Sequence, residues 1–422
     1  MRLRLAILLS FTCLFARAAE IPESIFPAGA GVNIHFTKGR EKDLDLIAAA
    51  GFKWVRMDFI WESIEHKKGE YDWSAYDELT ANLEKRKLRA LYILDYSNPL
   101  YEARVASRDG VTQAEEQGMG SPAHPESIAA FSRWAAAAAT HFHGKHIIWE
   151  IWNEPNGFFW KPKPSAREYS ALALAACAAI RNAEPKATIV GPASSGFEWR
   201  FLDRFLKSGV LKYLDAVTVH PYREPKDGPE TAAGDYEKLR ALIEQSAADD
   251  RQKNLPIISG EWGYSSKTGG VTPELQAAYL ARQQLFNAFK GIPLSIWYDW
   301  KNDGTNAAEH EQNFGTVTDD LKPKPAYEAI RTLTKELAGF RILRRIETDE
   351  KDFVLLCIDN SGGCKLAAWT VTDPHSITIG MPIRSPRWIG GMDGVGHPYR
   401  PKVDNGQLVI DLDPLPKYVT VK

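Results

Sequence analysis

The chain has 422 residues, 44% of them hydrophobic and 25% charged. That ordinary globular balance excludes disordered and collagen-like classes and leaves room for a large barrel plus one small domain. Lys and Arg number 52 against 54 Asp and Glu, a net charge of -2, so no bulk field draws the protein to nucleic acid or to an anionic membrane surface.

Residues 1–19 carry Arg2 and Arg4, an apolar run from Leu5 to Phe15 and the small-residue signature Ala16-Arg17-Ala18 ahead of Glu20. This is the layout of a secretory signal peptide, too short for a stable membrane span, and it predicts a secreted or periplasmic protein. Cys13 leaves with that segment and Cys177 reads as a buried thiol. Cys357 and Cys364 flank the turn IDNSGG, where they either pair as a disulfide or stay two thiols. No Cys/His spacing suggests a metal site, and no cofactor is expected.

Short β-rich runs then alternate with amphipathic helical stretches, the pattern of a parallel sheet built from βα units. The strand candidates begin at Gly31, Trp54, Ala90, Ile147, Thr188, Ala216, Ile257 and Leu294. Helical patterns lie between them at 42–50, 75–86, 125–141, 166–183, 236–246 and 273–289. The fold class is therefore α/β, a (β/α)8 TIM barrel over residues 20–337. Pro323 and Pro325 set the start of its last helix. Over 338–422 the runs FVLLC, KLAAW, SITI, QLVID and YVTV alternate with Gly and Asp-Asn turns, which predicts a small C-terminal antiparallel β domain, sandwich-like and packed on the barrel.

Barrel active sites lie at the carboxyl ends of the strands. The fourth run, IIWEIWNEPNGFFW, presents Asn153 and Glu154 before Pro155 turns the chain, while Glu150 lies deeper and suits a structural salt bridge. The seventh, LPIISGEWGYSS, leads from buried residues straight to Glu261, a costly place for a carboxylate that nothing uses. Two such glutamates across one barrel mouth suit glycosidic cleavage. One protonates the leaving oxygen, and the other meets the developing oxocarbenium ion. For the acid, burial and the charge of Glu261 would both raise the pKa of Glu154.

NEP on the fourth strand with a second Glu ending the seventh resembles the clan of glycoside hydrolases that includes family 5 cellulases and family 39 β-xylosidases. The stretch from WEIWNEPNGFFW through REYSALALAACAAIRNAEPKATIVGPASSG is similar to family 39 and its exopolysaccharide-hydrolase relatives. VTVHPY and the Arg of WVRMDF are also similar to family 5. The resemblance implies a retaining hydrolase of β-glycosides in a poly- or oligosaccharide, with Glu154 as acid/base and Glu261 as nucleophile. It implies that Asn153 bonds the sugar 2-hydroxyl, Arg56 supports the nucleophile, Tyr222 donates to Glu261, His220 holds the acid/base region and Trp297 forms the platform under the sugar. Family 5 enzymes usually carry a His on the third strand. Here LDYSNP leaves that place to Tyr96 or Asn98, which favours the family 39-like branch.

Trp61, Glu62, Trp160, Asp299, Trp300, Lys301 and Asn302 follow strand ends and either line sugar subsites or pack locally. The insertion from Asp95 to Pro125 either shapes the cleft or only covers it. His35 stands alone where metal-dependent barrel hydrolases carry two His. The expected partner is a carbohydrate, with no nucleic acid and no membrane contact beyond the signal peptide, and oligomeric state is open. Alternatives are an exo-acting xylosidase or arabinosidase type and, from another class, a non-catalytic carbohydrate-binding barrel. Aldolase or lyase chemistry would need a strand-end Lys or metal ligands.

Overall fold

The structure, a computed structural model, describes residues 20–108, 115–380 and 389–421. The proposed signal peptide, with Cys13, lies outside the described residues, as does Gly110 of the insertion. Among the described residues no helix is long and apolar enough to cross a membrane.

Eight parallel strands close into a barrel: β1 (Ala30–Asn33), β2 (Trp54–Ile60), β3 (Arg89–Asp95), β4 (Ile148–Ile151), β5 (Thr188–Ser195), β6 (Ala216–His220), β7 (Ile257–Trp262) and β8 (Ser295–Trp297). Every strand candidate read from the sequence is one of them. Alternation along the strands sorts their side chains. Trp54, Leu91, Ile93, Ile148, Val190, Ala216, Ile258, Leu294 and Ile296 face inward as one apolar layer, with Ile21 packed beneath. Outward residues such as Val55, Phe59, Trp149 and Trp297 join the larger core against the surrounding helices. Alternate residues of a strand point to opposite faces, so a polar residue on the inward set above this layer has to face the barrel mouth.

The helices begin where capping chemistry permits. Ser165 accepts from Glu168 N at 3.3 Å ahead of Ala166–Ala183, and Thr272 accepts from Leu275 N at 3.1 Å ahead of Pro273–Phe289, each satisfying an orphan amide. The insertion after β3 contains an antiparallel hairpin, Arg104–Arg108 with Glu115–Met119, which the alternation pattern did not predict.

Beyond the helix Pro325–Glu336, one sheet of six strands and one of three enclose a separate apolar core. The other face of the larger sheet lies on the barrel helices. Phe353 stacks on Trp369 at 4.9 Å and meets Phe286 edge-on at 6.2 Å. Trp369 Nε1 donates to Glu230 Oε1 at 2.8 Å, while Glu230 accepts from Arg282 Nε at 2.8 Å and Nη2 at 2.6 Å.

The register excludes the disulfide alternative. Cys357 pairs with Lys365 and Cys364 with Ile358, so the two thiols stand on opposite faces. Cys357 belongs to the core shared with the barrel, Cys364 packs against the inter-sheet core, and both are free. Trp369→Ala, which empties the seam and removes one of the donors to Glu230, is expected to cost about 3–5 kcal/mol of unfolding free energy. Urea denaturation measures it, and a loss below about 1 kcal/mol would mean that the two parts do not depend on this seam.

Candidate active site

Arg56 stands on the inward face of β2 directly above the apolar layer and is 1% exposed. A guanidinium offers five N–H donors and no acceptor, and all five have a partner. Nε donates to Glu150 Oε2 at 2.8 Å. Nη1 donates to Glu261 Oε2 at 2.5 Å and Asn33 Oδ1 at 3.3 Å. Nη2 donates to Asn153 Oδ1 at 2.7 Å and lies 3.2 Å from His220 Nε2. Burial works against the charge, but Glu150 and Glu261 outweigh it and raise the pKa of Arg56 above its ordinary value. Arg56 thus serves at once as a floor ion pair with Glu150 and as a contact to Glu261.

Because arginine only donates, His220 Nε2 must accept. The proton of the neutral ring then sits on Nδ1, which donates to Glu154 Oε1 at 2.8 Å. Burial, with Arg56 alongside and against the pull of Glu261, pushes the His220 pKa down to about 4 and keeps the ring neutral. Burial likewise raises Glu154 to about 7, against the opposing hydrogen bond from Ser195 and the charge of Arg56. The sequence reading expected Glu261 to share in this shift, but desolvation carries it.

Glu154 also sits at φ 46°, a left-handed conformation that costs a residue with a Cβ roughly 1–3 kcal/mol. Its amide is anchored to Ala193 O at 3.0 Å, aiming the carboxyl across the mouth. Glu261 accepts from Tyr222 Oη at 2.8 Å on its other oxygen. Carboxylate oxygens of Glu154 and Glu261 lie within 4.8 Å of each other and of a His220 nitrogen. Gly260 makes this crowding possible, since a Cβ there would stand 3.2 Å from Glu150 Oε1 and 3.5 Å from the His220 ring.

Asn153 is held from both ends, its oxygen by Arg56 and its Nδ2 donating to Tyr96 Oη at 3.1 Å. Tyr96 therefore takes the third-strand place. Asn98 is fully buried instead, donating to Glu65 O at 2.8 Å and accepting from Leu100 N at 2.9 Å, as a loop brace. Trp61 stacks on Tyr101 and Trp134 in the core, and Trp160 packs between Trp152 and Tyr169. Neither reaches the cleft. Asp299 is 1% exposed with Oδ2 turned toward His35 Nε2 at 3.7 Å, a buried group behind the cleft wall. Trp300, also buried, donates to Asp43 at 3.0 Å.

Trp297 needs the same correction. It faces outward into the core with its indole N–H 3.4 Å from Phe314 O. Since Leu294 and Ile296 face inward, the next inward residue is Tyr298, half-buried and flanked edge-on by Phe314 at 5.2 Å and His35 at 5.6 Å. Counting parity along LSIWY was the signal that would have found it. Asp95, next inward on β3, is also new: burial and the charge of neighbouring Asp58 hold it well above the ordinary carboxyl range.

Among the described residues, two clusters could present ligand atoms to a cation: Glu154 with His220 and Glu261, and His35 with Asp299 and Asp303. In the first, the carboxylates already accept from Arg56, Tyr222 and His220, so a cation would have to compete with the guanidinium.

The family model described as "Cellulase (glycosyl hydrolase family 5)" matches residues 23–304. The chain belongs to that family. Its likeness to solved structures extends the placement: a family 39 glycoside hydrolase from Bacteroides cellulosilyticus WH2 superposes with a TM-score of 0.79 at 26% identity, over 96% of this chain and 82% of that one. A family 39 β-xylosidase from Caulobacter crescentus shares the fold at TM-score 0.66 and 19% identity, over 96% and 98%. A curated β-xylosidase of Caldicellulosiruptor saccharolyticus is 26% identical over 260 residues, 56% of this chain and 51% of the relative. One of Geobacillus stearothermophilus is 25% identical over 236 residues, 47% of this chain and 45% of the relative. The chain thus spans about half the length of the curated relatives it matches. This family 5 member is built on a plan it shares with family 39, the clan that the NEP motif and the seventh-strand glutamate pointed to.

Replacing Arg56 by Leu strands the Glu150 carboxylate in the barrel floor. For this member of the clan, a loss of about 3–5 kcal/mol in chemical denaturation is expected. A fully stable variant would mean that the floor tolerates an unpaired charge.

Proposed function

We propose that the protein is a retaining hydrolase of β-glycosidic bonds working by double displacement, with Glu261 as nucleophile and Glu154 as acid/base. The observation that carries this reading is the separation of the two carboxylates, whose oxygens approach within 4.8 Å. Retaining enzymes hold the pair about 5–5.5 Å apart, while inverting enzymes leave about 6.5–9.5 Å for an intervening water.

In this scheme Glu261, aligned by Arg56 and Tyr222, attacks the anomeric carbon as the bond to the leaving oxygen breaks. Glu154 supplies the proton. His220 Nδ1–H occupies Oε1, which leaves Oε2 to carry it. Once the glycosyl-enzyme has formed, the same Glu154, now a carboxylate, takes a proton from water, which attacks the anomeric carbon and releases Glu261. The second N–H of Asn153 Nδ2, the one not given to Tyr96, is available for the sugar 2-hydroxyl. Tyr298 replaces Trp297 as the aromatic wall beside Glu261.

The names of the curated relatives favour exo-acting β-xylosidase action as the finer reading, and β-xylosides as the first probes. Export to the periplasm or beyond belongs to the same proposal, resting on the charge and apolar pattern of residues 1–19.

Glu261→Gln is expected to lower kcat by at least about 10⁴-fold, and NMR of the first-formed sugar from the wild type should show the β anomer. An α product would overturn double displacement. Glu154→Ala should spare aryl glycosides with activated leaving groups far more than unactivated ones, and added azide should yield a β-glycosyl azide. Equal loss on both substrate types would remove Glu154 from the acid role. Since the acid form of Glu154 is the active one in the free enzyme and titrates at about 7, kcat/KM should fall as pH rises through about 7. An alkaline limb placed beyond pH 9 would assign the acid to another group.

A further inference from the structure

The second group of ligand-bearing side chains stands apart from the catalytic carboxylates. His35 follows β1, Asp299 and Asp303 follow β8, and a ligand atom of each lies within 4.8 Å of the other two. Asp299 is 1% exposed, and its Oδ1 has no hydrogen-bond partner. A buried carboxyl oxygen left in that state is costly unless something other than a protein donor meets it.

The neighbouring groups are engaged elsewhere. Lys324 is close enough for its charge to act on Asp299, yet its Nζ donates to Ser266 Oγ at 3.0 Å, Asn302 Oδ1 at 3.2 Å and Asn313 O at 3.4 Å. An ammonium has three donors, so none is left for the carboxyl. On the other side His35 Nε2 faces Asp299 Oδ2 at 3.7 Å, too far for a hydrogen bond.

The tautomer of His35 follows from Arg56. The guanidinium only donates, so Asn33 turns its Oδ1 toward it and leaves Nδ2 to donate to His35 Nε2 across a long 3.4 Å. Nε2 therefore carries a lone pair. A nitrogen lone pair and two carboxylates converging on one point make a set of metal ligands, not a set of mutual hydrogen bonds. Two ligands of a tetrahedral ion, each about 2.0–2.1 Å from it, stand roughly 3.3–3.4 Å apart, close to the spacing of His35 and Asp299.

The frame of the cluster is already fixed. Trp300 N donates to Asn33 O at 3.0 Å, which ties the exit of β8 to β1. Asn302 N donates to Val317 O at 3.0 Å and its Oδ1 accepts from Gly315 N at 3.1 Å, which holds the turn carrying Asp303. His35 and Asp303 are exposed, so an ion could enter from solvent.

We propose that His35, Asp299 and Asp303 form a site for a divalent transition-metal ion of the Zn²⁺ class. One imidazole nitrogen with two carboxylates suits such borderline ions, whereas Ca²⁺ and Mg²⁺ favour oxygen ligands alone. The ion clamps the end of β1 to the loop after β8. Because His35 meets Tyr298 edge-on at 5.6 Å, the clamp also steadies the aromatic wall beside Glu261. The site does not depend on the catalytic reading of the two glutamates.

The test is calorimetric titration of the EDTA-dialysed protein with ZnCl₂, in wild type, His35→Ala, Asp303→Ala and Glu261→Gln. One Zn²⁺ per chain is expected. Loss of a supporting partner alone costs about 10–100-fold in metal affinity, so Kd should rise at least about tenfold in His35→Ala and in Asp303→Ala while Glu261→Gln binds as wild type does. His35 and Asp303 are surface side chains, so both variants should fold. Excess ZnCl₂ should then raise the Tm of wild type and leave that of His35→Ala in place. Absence of stoichiometric binding by wild type overturns the site, as does a Kd within about twofold of wild type in both variants. Binding lost in Glu261→Gln but kept in His35→Ala would place the ion at the catalytic pair and overturn it equally.

Discussion

The site is organised by one buried cation. Arg56 spends all five of its N–H groups on Glu150, Glu261, Asn33, Asn153 and His220, which come from β1, β4, β6, β7 and the loop leaving β4. A planar donor-only group in an apolar barrel leaves its neighbours little choice of orientation. Asn153 must turn its oxygen toward it, His220 must present a lone pair, and Glu261 must lie within reach. The tautomer of His220, and through it the oxygen of Glu154 left for a proton, follow from the fact that arginine cannot accept.

The same burial separates the two glutamates chemically. Glu261 lies on the guanidinium and a phenol, both donors. Glu154 meets a neutral imidazole kept uncharged by its surroundings, and desolvation raises its pKa to about 7. Environment alone thereby readies Glu154 to hold a proton. Glu150 shows a third use of the carboxylate, as the counter-charge that makes a buried arginine affordable in the floor.

The aromatic residues divide along similar lines. Trp61, Trp160, Trp297 and Trp300 are consumed by packing between strands and helices or under loops, while Tyr96, Tyr222 and Tyr298, which end in hydroxyls, face the mouth. A large indole gains most from full burial, whereas a phenol can pack its ring and still place a donor at a carboxylate. Reading Trp as a marker of sugar contact therefore misjudged Trp61, Trp160 and Trp297.

Much was legible in the residues themselves. Short apolar runs between helical stretches placed all eight barrel strands, because burial on both faces leaves a near-continuous apolar signature. Polar residues at the ends of those strands had to face the mouth, which located Glu154, Glu261, Arg56, Asn153, His220 and Tyr222. The strand pair 104–108 and 115–119 and the short C-terminal strands Gly390–Met392 and Lys402–Asp404 were not legible, since polar edge strands carry no such pattern. Face and distance belonged to tertiary structure. A one-residue register put Cys357 and Cys364 on opposite sides of a sheet, one step of parity exchanged Trp297 for Tyr298, and closure of the barrel brought residues more than a hundred positions apart to within 4.8 Å. Local sequence encodes which residues are inward and polar, but separations between strands depend on how the sheet twists and closes, a property of the whole assembly.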